Sequence, residues 1–357
     1  MKILVTGNMG YVGPGVVQRL RASYPDARLT GLDMGYFANI LAGPVTLPER
    51  RLDVQYFGDV RQPPPEALQG VDAVIHLAAI SNDPMGTRFE RATLDINHLA
   101  TVALAAKAKA AGASRFVFAS SCSVYGSAGE DSRSEDSAVE PLTAYSRSKV
   151  LAEQSLAQLA TNGFRVTCLR FATACGPSDR LRLDLVLNDF VAEAMISKTV
   201  RVMSDGTPWR PLIDVRDMAR AFEWAIGRSG GDDFLIVNVG ADEANYQVRD
   251  LAEAVAGVIP GTDVWVNPDA APDRRSYRVS FARFRALAPD FVPRVGLRET
   301  VTDLVDTLET TGLRDAVGVR SRFVRLHILS ELRSLGLLDA ELAWTPPQLV
   351  QSISGSA

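Results

Sequence analysis

The sequence has few of the residues from which metal sites and disulfide frameworks are built. Its 357 residues include only three histidines and three cysteines, Cys122, Cys168 and Cys175. An odd number of cysteines cannot all pair, and neither residue type has the spacing of metal ligands. We therefore expect a reduced, cytoplasmic environment and no bound metal.

An excess of basic charge and long apolar runs are also missing. The net charge is −4, and the 38 lysines and arginines are scattered along the sequence. No concentration of positive charge therefore favours nucleic acid as a partner. No apolar run approaches the roughly 20 residues of a membrane-spanning helix. The first residues, MKILVTG, enter a strand pattern without the features of a signal peptide. We expect neither nucleic acid nor a membrane as a partner.

Short apolar runs alternate with amphipathic stretches through the first 172 residues. The runs are KILVTG, RLTGLD, VQYFGDV, AVIHLAA, RFVFASS and RVTCLRFA, and DFLIVNVG resembles a further core strand. Nearly continuous Val, Ile, Leu and Phe is typical of strands that are buried on both faces. The pattern predicts an α/β fold with a Rossmann-type doubly wound parallel sheet.

The alternation breaks after Phe171, which predicts a smaller, discontinuous C-terminal α+β domain. We predict that residues 1–172 and about 212–238 form the Rossmann-type domain, and that about 173–211 and 239–315 form the smaller one. Residues 316–357 would form a C-terminal helix and tail. We interpret the Leu/Ile/Phe stripe of SRFVRLHILSELRSLGLL as packing onto a domain or a subunit rather than as a ligand site.

A glycine cluster follows the first predicted strand. In TGNMGYVG, Gly7, Gly10 and Gly13 are spaced G-x-x-G-x-x-G and precede the helical stretch GVVQRL. Glycines permit a tight turn and a close approach of the backbone to a pyrophosphate, whose charge then meets a helix N-terminus. The strand–turn–helix context predicts a dinucleotide site.

Two aspartates follow the next strands. Asp33 ends the second run, 20 residues after Gly13, where a carboxylate accepts hydrogen bonds from both ribose hydroxyls and repels a 2′-phosphate. This favours NAD over NADP. Asp59, in FGDVR, is placed to meet the adenine amine, although a turn-forming aspartate explains the same position.

A tyrosine and a lysine lie four residues apart in AYSRSKVLAEQ. On a helix, Tyr145 and Lys149 would share one face. This spacing alone is common among ordinary exposed pairs, so the neighbouring motifs decide its meaning.

Several motifs together resemble the extended short-chain dehydrogenases/reductases. TGNMGYVG, GDVR, HLAA, SSCSVYG and YSRSK occur in the order and spacing of that family over about residues 1–300, and look most like its nucleotide-sugar epimerase/dehydratase group. The resemblance implies NAD in the first domain, a nucleotide sugar in the second and, as is usual in the family, a homodimer.

The resemblance also implies site residues. Tyr145 would be the acid/base, Lys149 would support it and hold the nicotinamide ribose, and Ser121 would hydrogen-bond the reacting sugar oxygen. An isolated tyrosine has a pKa of about 10, and we expect the ammonium and the nicotinamide charge to lower it. The remaining positions are Val60, Ala78 and Asn97 for the cofactor, with Asn97 propping the active-site backbone, and Ser123, Asn188, Arg210 and Arg275 for the substrate. The choice between Arg275 and the adjacent Arg274 stays open.

The residues before V-Y-G bear on the reaction. Family members that eliminate water commonly carry an acid there, whereas this chain has Cys122 and Ser123. The small residues resemble the 4-epimerases of UDP-hexoses and UDP-hexuronates. A ketosugar reductase or dehydrogenase is the alternative, followed by a 4,6-dehydratase and a non-catalytic dinucleotide-binding protein. The nucleotide base, the sugar and the inverted carbon stay open.

Overall fold

The computed structural model describes residues 1–42, 46–127, 131–270, 276–311 and 320–346. Its main feature is a parallel sheet of seven strands in the order β10-β6-β5-β4-β1-β2-β3. The strands are β1 (Lys2–Thr6), β2 (Arg28–Asp33), β3 (Val54–Phe57), β4 (Ala73–His76), β5 (Arg115–Ser121), β6 (Arg165–Phe171) and β10 (Phe234–Val239). Each apolar run forms its predicted strand, and the Rossmann-type fold is confirmed.

Helices cover both faces of this sheet. They are α1 (Gly13–Ser23), α2 (Pro65–Leu68), α3 (Asp83–Arg88), α4 (Glu90–Leu94), α5 (Thr101–Ala110), α6 (Ala144–Leu159) and α8 (Val215–Gly227). A π-helical turn, Asp95–Ala100, joins α4 to α5. Leu20 and Phe222 fill the core on the face of α1 and α8, and Leu104 and Leu156 fill the core on the other. Because strand side chains alternate between faces, Ile3 and Leu4 enter different cores.

Smaller sheets and a second group of helices follow β6. One sheet contains β7 (Thr173–Cys175), β9 (Trp209–Asp214) and β11 (Asn245–Gln247), and another contains β8 (Thr199–Val202) and β12 (Asp263–Val266). The helices are α7 (Val186–Ser197), α9 (Val248–Ala256), α10 (Ala282–Leu287) and α11 (Leu297–Thr310). Leu187, Leu251 and Leu304 belong to a third core. Short 3₁₀ turns are formed by Pro48–Arg51, Cys122–Tyr125, Asp242–Ala244 and Pro289–Phe291.

The C-terminal part of the chain packs against both groups of elements. Its helix α12 (Arg325–Ser334) is shorter than the predicted stretch. Phe323 is buried in the third core, whereas Leu329 and Leu338 are buried in the α5–α6 core of the main sheet. The segment therefore bridges the two parts of the molecule. Within the described residues, no helix combines the length and apolar character required to cross a membrane.

Candidate active site

A cavity of about 460 Å³ opens at the carboxyl ends of the strands of the main sheet. Both the Rossmann part and the smaller domain line it. This position, outside the carboxyl ends of parallel strands, is where open α/β sheets bind ligands. The predicted residues that line it are Gly7, Gly10, Gly13, Asp33, Asp59, Val60, Ala78, Ser121, Ser123, Tyr145, Lys149 and Arg210.

The glycine turn between β1 and α1 has no room for side chains. Gly7 has a φ of +73°, and a Cβ there would lie 2.5 Å from the backbone nitrogen of Ala78. A Cβ on Gly13 would lie 2.1 Å from the carbonyl oxygen of Asn8. The backbone is thereby free to approach a ligand at the N-terminus of α1, where a diphosphate is favoured.

Asp33 supports the glycine turn and faces the cavity. Its carboxylate accepts hydrogen bonds from the backbone nitrogens of Met9, at 3.0 Å, and Gly35, at 2.8 Å. Burial raises the pKa of Asp33, and the two backbone N–H groups oppose that shift. A half-buried carboxylate at this strand end fits a ribose diol and disfavours a 2′-phosphate.

Asp59 lies farther along the same rim and is already paired. Its carboxylate accepts from Nε of Arg61 at 2.8 Å and from the Arg61 backbone nitrogen at 2.8 Å. Asp59 and Val60 both line the cavity. The adenine contact predicted for Asp59 stays a prediction.

Asn97 lies behind the cavity wall, in the π-helical turn. Its amide is fully buried, accepts from the backbone nitrogen of Ile80 at 2.8 Å, and donates to the Ile80 carbonyl at 2.9 Å and to Oγ of Ser148 at 3.1 Å. It thus ties the loop after β4, which begins near Ala78, to α6. This placement agrees with a backbone prop and puts the side chain out of direct contact with the cavity.

The predicted catalytic residues meet at the centre of the cavity. Thr143 caps α6, its side chain accepting from the backbone nitrogen of Ser146 at 3.2 Å. Two positions later, Tyr145 is half-buried in the cavity wall, and the side chain of Ser121, which ends β5, interacts with its hydroxyl. Nζ of Lys149 donates to the carbonyl of Ala119 at 2.7 Å and lies 5.6 Å from the centre of the Tyr145 ring.

The pKa of Tyr145 corrects the expectation from sequence. Burial raises it to about 12, whereas the hydrogen bond with Ser121 and the charge of Arg182 lower it, and the charge of Asp83 raises it. The protein's own groups therefore do not produce the expected net lowering, and the cation that acts on the phenol is Arg182. Burial also lowers the pKa of Lys149 to about 7, against the charge of Glu153.

Arg182 and Asp184 were not predicted as site residues. Nε and Nη2 of Arg182 donate to the two carboxylate oxygens of Asp184 at 2.6 and 3.2 Å, and Nη1 donates to Oγ of Ser81 at 2.9 Å. Nδ2 of Asn82 also donates to Asp184, at 2.7 Å. Both charged residues line the cavity, opposite α6. The only signal in the sequence was the alternation of charged and apolar residues in DRLRLD.

The predicted substrate residues have different placements. Ser123 and Arg210 line the cavity, and Nη1 of Arg210 donates to the Trp209 carbonyl at 2.8 Å. Asn188 is fully buried beneath the cavity: it accepts from Gly176 N at 3.0 Å and donates to Tyr11 Oη at 2.9 Å, as well as to the Arg182 carbonyl. Its amide is thus engaged by protein in this structure, and the diphosphate contact stays a prediction. Arg275 and Arg274 lie outside the described residues.

A buried polar chain supports α6 from behind. Glu153, one turn after Lys149, forms a two-pronged ion pair with Arg170, with its shortest distance 2.7 Å. Arg170 also donates to Oη of Tyr125 at 3.0 Å, and Tyr125 donates to Oδ1 of Asn238 at 2.7 Å. The chain links α6 to β6 and β10, so it fixes the rotation of the helix that carries Tyr145.

These features are those of a dinucleotide-dependent enzyme with a buried lysine and a tyrosine in its cavity. Residues 3–240 match the NAD dependent epimerase/dehydratase family, and the chain belongs to it. Its cofactor is NAD, whose diphosphate and ribose suit the glycine turn and Asp33.

The relatives include both epimerases and dehydratases. A UDP-glucose 4-epimerase of Mycolicibacterium smegmatis (strain ATCC 700084 / mc(2)155) is 28% identical over 317 residues, which cover 86% of this chain and 98% of the relative. A dTDP-glucose 4,6-dehydratase of Streptomyces griseus is 29% identical, covering 83% of this chain and 90% of that protein. The solved structure of MoeE5 in complex with UDP-glucuronic acid and NAD is 27% identical, with a TM-score of 0.73, and covers 87% of this chain and 100% of that one.

Proposed function

We propose that the chain is an NAD-dependent epimerase of a nucleotide-activated sugar, inverting C4 of a UDP-hexose or UDP-hexuronate. The observation that carries this proposal is the turn after β5. There Cys122 and Ser123 occupy the positions where dehydratase-like members carry an acid. Cys122 is fully buried, its thiol donates to the Arg170 carbonyl at 3.1 Å, and burial raises its pKa. Neither residue can supply the extra proton transfer that elimination of water requires.

Two carboxylates that line the cavity together with Tyr145 also support the epimerase proposal. Asp184 is held by Arg182 and Asn82, and Arg182 lowers its pKa. Asp83 accepts a hydrogen bond from Oγ1 of Thr143 at 2.7 Å. Because Asp184 is kept ionised by its partners, it is a poor proton donor near neutral pH. Tyr145 is left as the group suited to move a proton at the sugar.

Bound NAD supplies a hydride acceptor and donor for the sugar carbon. Tyr145 takes the proton of the 4-hydroxyl, while Ser121 holds the same oxygen by a hydrogen bond. Arg182 stabilises the negative charge on the phenolate before this transfer, and the support that the family resemblance implies for Lys149 stays a prediction. With NAD bound, Tyr145 would return the proton to the sugar oxygen once the 4-ketosugar has turned over within the cavity. The sum is redox-neutral, so no cofactor is consumed.

We assign the nucleotide diphosphate to the side of the cavity formed by the smaller domain. Arg210 lines this side from β9, and its guanidinium is suited to two-pronged recognition of phosphate oxygens. Ser123 is placed for a sugar hydroxyl. The contact of Arg275 and the homodimer implied by the family resemblance stay predictions.

The test begins with protein purified without added cofactor. Denaturation of one portion releases any bound NAD for assay, and the rest is incubated with UDP-, dTDP-, GDP- and CDP-sugars, with products read by NMR. An isomeric product without net NADH is expected. A 4-keto-6-deoxy product would instead identify a dehydratase, in line with the Streptomyces griseus relative. Turnover of a ketosugar only with added NAD(P)H would identify a reductase.

A further inference from the structure

The chain is longer than two relatives that match it over nearly their whole length. The match to the MoeE5 structure covers 100% of that chain but only 87% of this one. The match to the Mycolicibacterium smegmatis relative covers 98% of the relative and 86% of this chain. The part of the chain with the least resemblance to the family motifs is the end, of which the structure describes residues 320–346. We call this part the C-terminal segment.

The C-terminal segment crosses from the smaller domain to the Rossmann part beside the cavity. At its start, the carbonyl of Phe323 accepts from the backbone nitrogen of Leu183 at 2.9 Å, in the loop that carries Arg182. Two residues later α12 begins, and two of its residues, Arg325 and Leu329, line the cavity. The interpretation of this helix as packing alone therefore missed its contribution to the site.

The far end of the segment is attached beside Asp33 and Asp59. Nε1 of Trp344 donates to the carbonyl of Met34 at 2.7 Å, and the Tyr36 hydroxyl donates to the carbonyl of Leu342. Nη1 of Arg61, the partner of Asp59, donates to the carbonyl of Glu341 at 2.8 Å. The segment is thus anchored to the two loops that follow β2 and β3, where the adenosine half of NAD is expected.

Arg325 is a buried cation with unused hydrogen-bonding capacity. Its side chain is 2% exposed, its Nη2 donates to the Arg180 carbonyl at 2.8 Å, and its guanidinium lies 4.2 Å over the ring of Phe37. Nη1 has no acceptor among the described residues. Burial and the charge of Arg182 lower its pKa to about 9, so it is still a cation at neutral pH. A buried charged N–H without a partner is costly, and an anion in the cavity would remove that cost.

We propose that the C-terminal segment is an outer wall of the NAD site and that Nη1 of Arg325 donates to the cofactor's diphosphate. Two diphosphates enter this cavity, that of NAD and that of the nucleotide sugar. The position of Arg325 favours NAD, because its guanidinium stacks on Phe37, four residues after Asp33, in the loop to which Trp344 also anchors the segment. Arg210, in contrast, reaches the cavity from β9 of the smaller domain.

The consequence is slow release of NAD, because the segment must move before the diphosphate can leave. The variant Arg325→Met keeps the length of the side chain and removes its charge and its donors. A hydrogen bond to a charged group is worth about 1.5–3 kcal/mol, so we expect NAD to dissociate about 10- to 100-fold faster. The control is Arg322→Met, which removes the same charge from an exposed position of the same segment and should release NAD at the wild-type rate.

The two possible diphosphate partners of Arg325 are distinguished by measuring NAD release and UDP affinity separately. NAD release is followed by displacement with a fluorescent etheno-NAD, and the affinity for UDP is measured by calorimetry on NAD-loaded protein. Faster NAD release with unchanged UDP affinity is expected. Weaker UDP binding with unchanged NAD release would overturn the assignment and indicate that Arg325 contacts the substrate's diphosphate instead.

A second variant keeps the proposal testable if Arg325→Met does not fold. Trp344 is 42% exposed, so Trp344→Ala should leave the core intact while removing the anchor to Met34. We expect NAD to leave several-fold faster than from wild type, with UDP affinity unchanged. If Trp344→Ala and a folded Arg325→Met both released NAD at the wild-type rate, the proposal that the C-terminal segment walls the NAD site would be refuted. These readouts need no turnover, so they are independent of whether the chain is an epimerase.

Discussion

The two walls of the cavity are built differently. On the α6 wall, Tyr145 and Lys149 stand one turn apart on a long helix, and Glu153 on the next turn is locked to Arg170 in the main sheet. On the opposite wall, Arg182 lies in a loop, and its guanidinium is aimed by its ion pair with Asp184 and its bond to Ser81.

This difference separates two tasks. The α6 wall fixes the position of the group that moves the proton, because helix geometry and a buried polar chain leave it little freedom. The charge around that group is set from outside α6: Arg182 on the opposite wall lowers the pKa of Tyr145, whereas Asp83 at the start of α3, which is hydrogen-bonded to the cap of α6, raises it. Changes on the first wall should therefore abolish activity or stability, whereas changes on the second should shift the pH dependence.

The largest effect is expected for Tyr145→Phe. The ring and its packing remain, but the proton-transfer group is lost, so turnover should fall about 10²- to 10⁴-fold. Epimerisation is measured by NMR and bound NAD by its release on denaturation. Ser146→Ala removes a side chain that helps to cap α6, so it shows how much activity is lost through damage to the helix start alone. A Tyr145→Phe protein with near wild-type turnover would refute the assignment of the acid/base.

The second effect concerns the support of the α6 wall. Glu153→Gln leaves the Arg170 cation buried without its counter-charge, which should lower the free energy of unfolding by about 3–5 kcal/mol. Chemical denaturation of the NAD-free protein measures this directly. In the double variant Glu153→Gln/Arg170→Met, no unpaired charge remains, so much of the stability should return. A loss below about 1 kcal/mol in the single variant would contradict a role for this pair in holding α6.

The α6 wall is also the part that sequence reasoning predicted best. The seven strands followed from continuous apolar runs, and the Tyr145–Lys149 arrangement followed from helical spacing, because both depend on local periodicity. The glycine turn was equally local, since its strand and helix lie next to it in the chain.

Residues whose placement depends on contacts between distant segments were harder to predict. Asn188 lies on α7 as expected of a helical residue, but its amide is fully buried and hydrogen-bonded to Tyr11, from a distant part of the chain. Arg325 reaches the cavity only because residues 320–346 fold back against the loops that follow β2 and β3. Even the length of α12 was overestimated, because the chain adopts a φ of +71° at Gly336, just beyond its end.

The opposite wall is tested by Arg182→Met. Removing the cation takes away a charge that lowers the pKa of Tyr145, so the pKa rises and the phenolate forms only at higher pH. The acidic limb of the kcat/KM profile should move up by about one pH unit, which is about tenfold in activity below that limb. Arg182→Lys, which keeps the charge, should stay closer to wild type. A uniform loss at every pH would indicate a purely structural role.

An effect of similar size and opposite sign is expected for Asp83→Asn. The amide can still accept the hydrogen bond from Thr143, but the negative charge that raises the pKa of Tyr145 is gone. The acidic limb of kcat/KM should therefore move to lower pH, by at least as much as Arg182→Met moves it up, because the charge of Asp83 acts on Tyr145 at least as strongly as that of Arg182. Combined with Arg182→Met, the two shifts should largely cancel. If both single variants moved the limb in the same direction, the charges of Arg182 and Asp83 would not control the tyrosine.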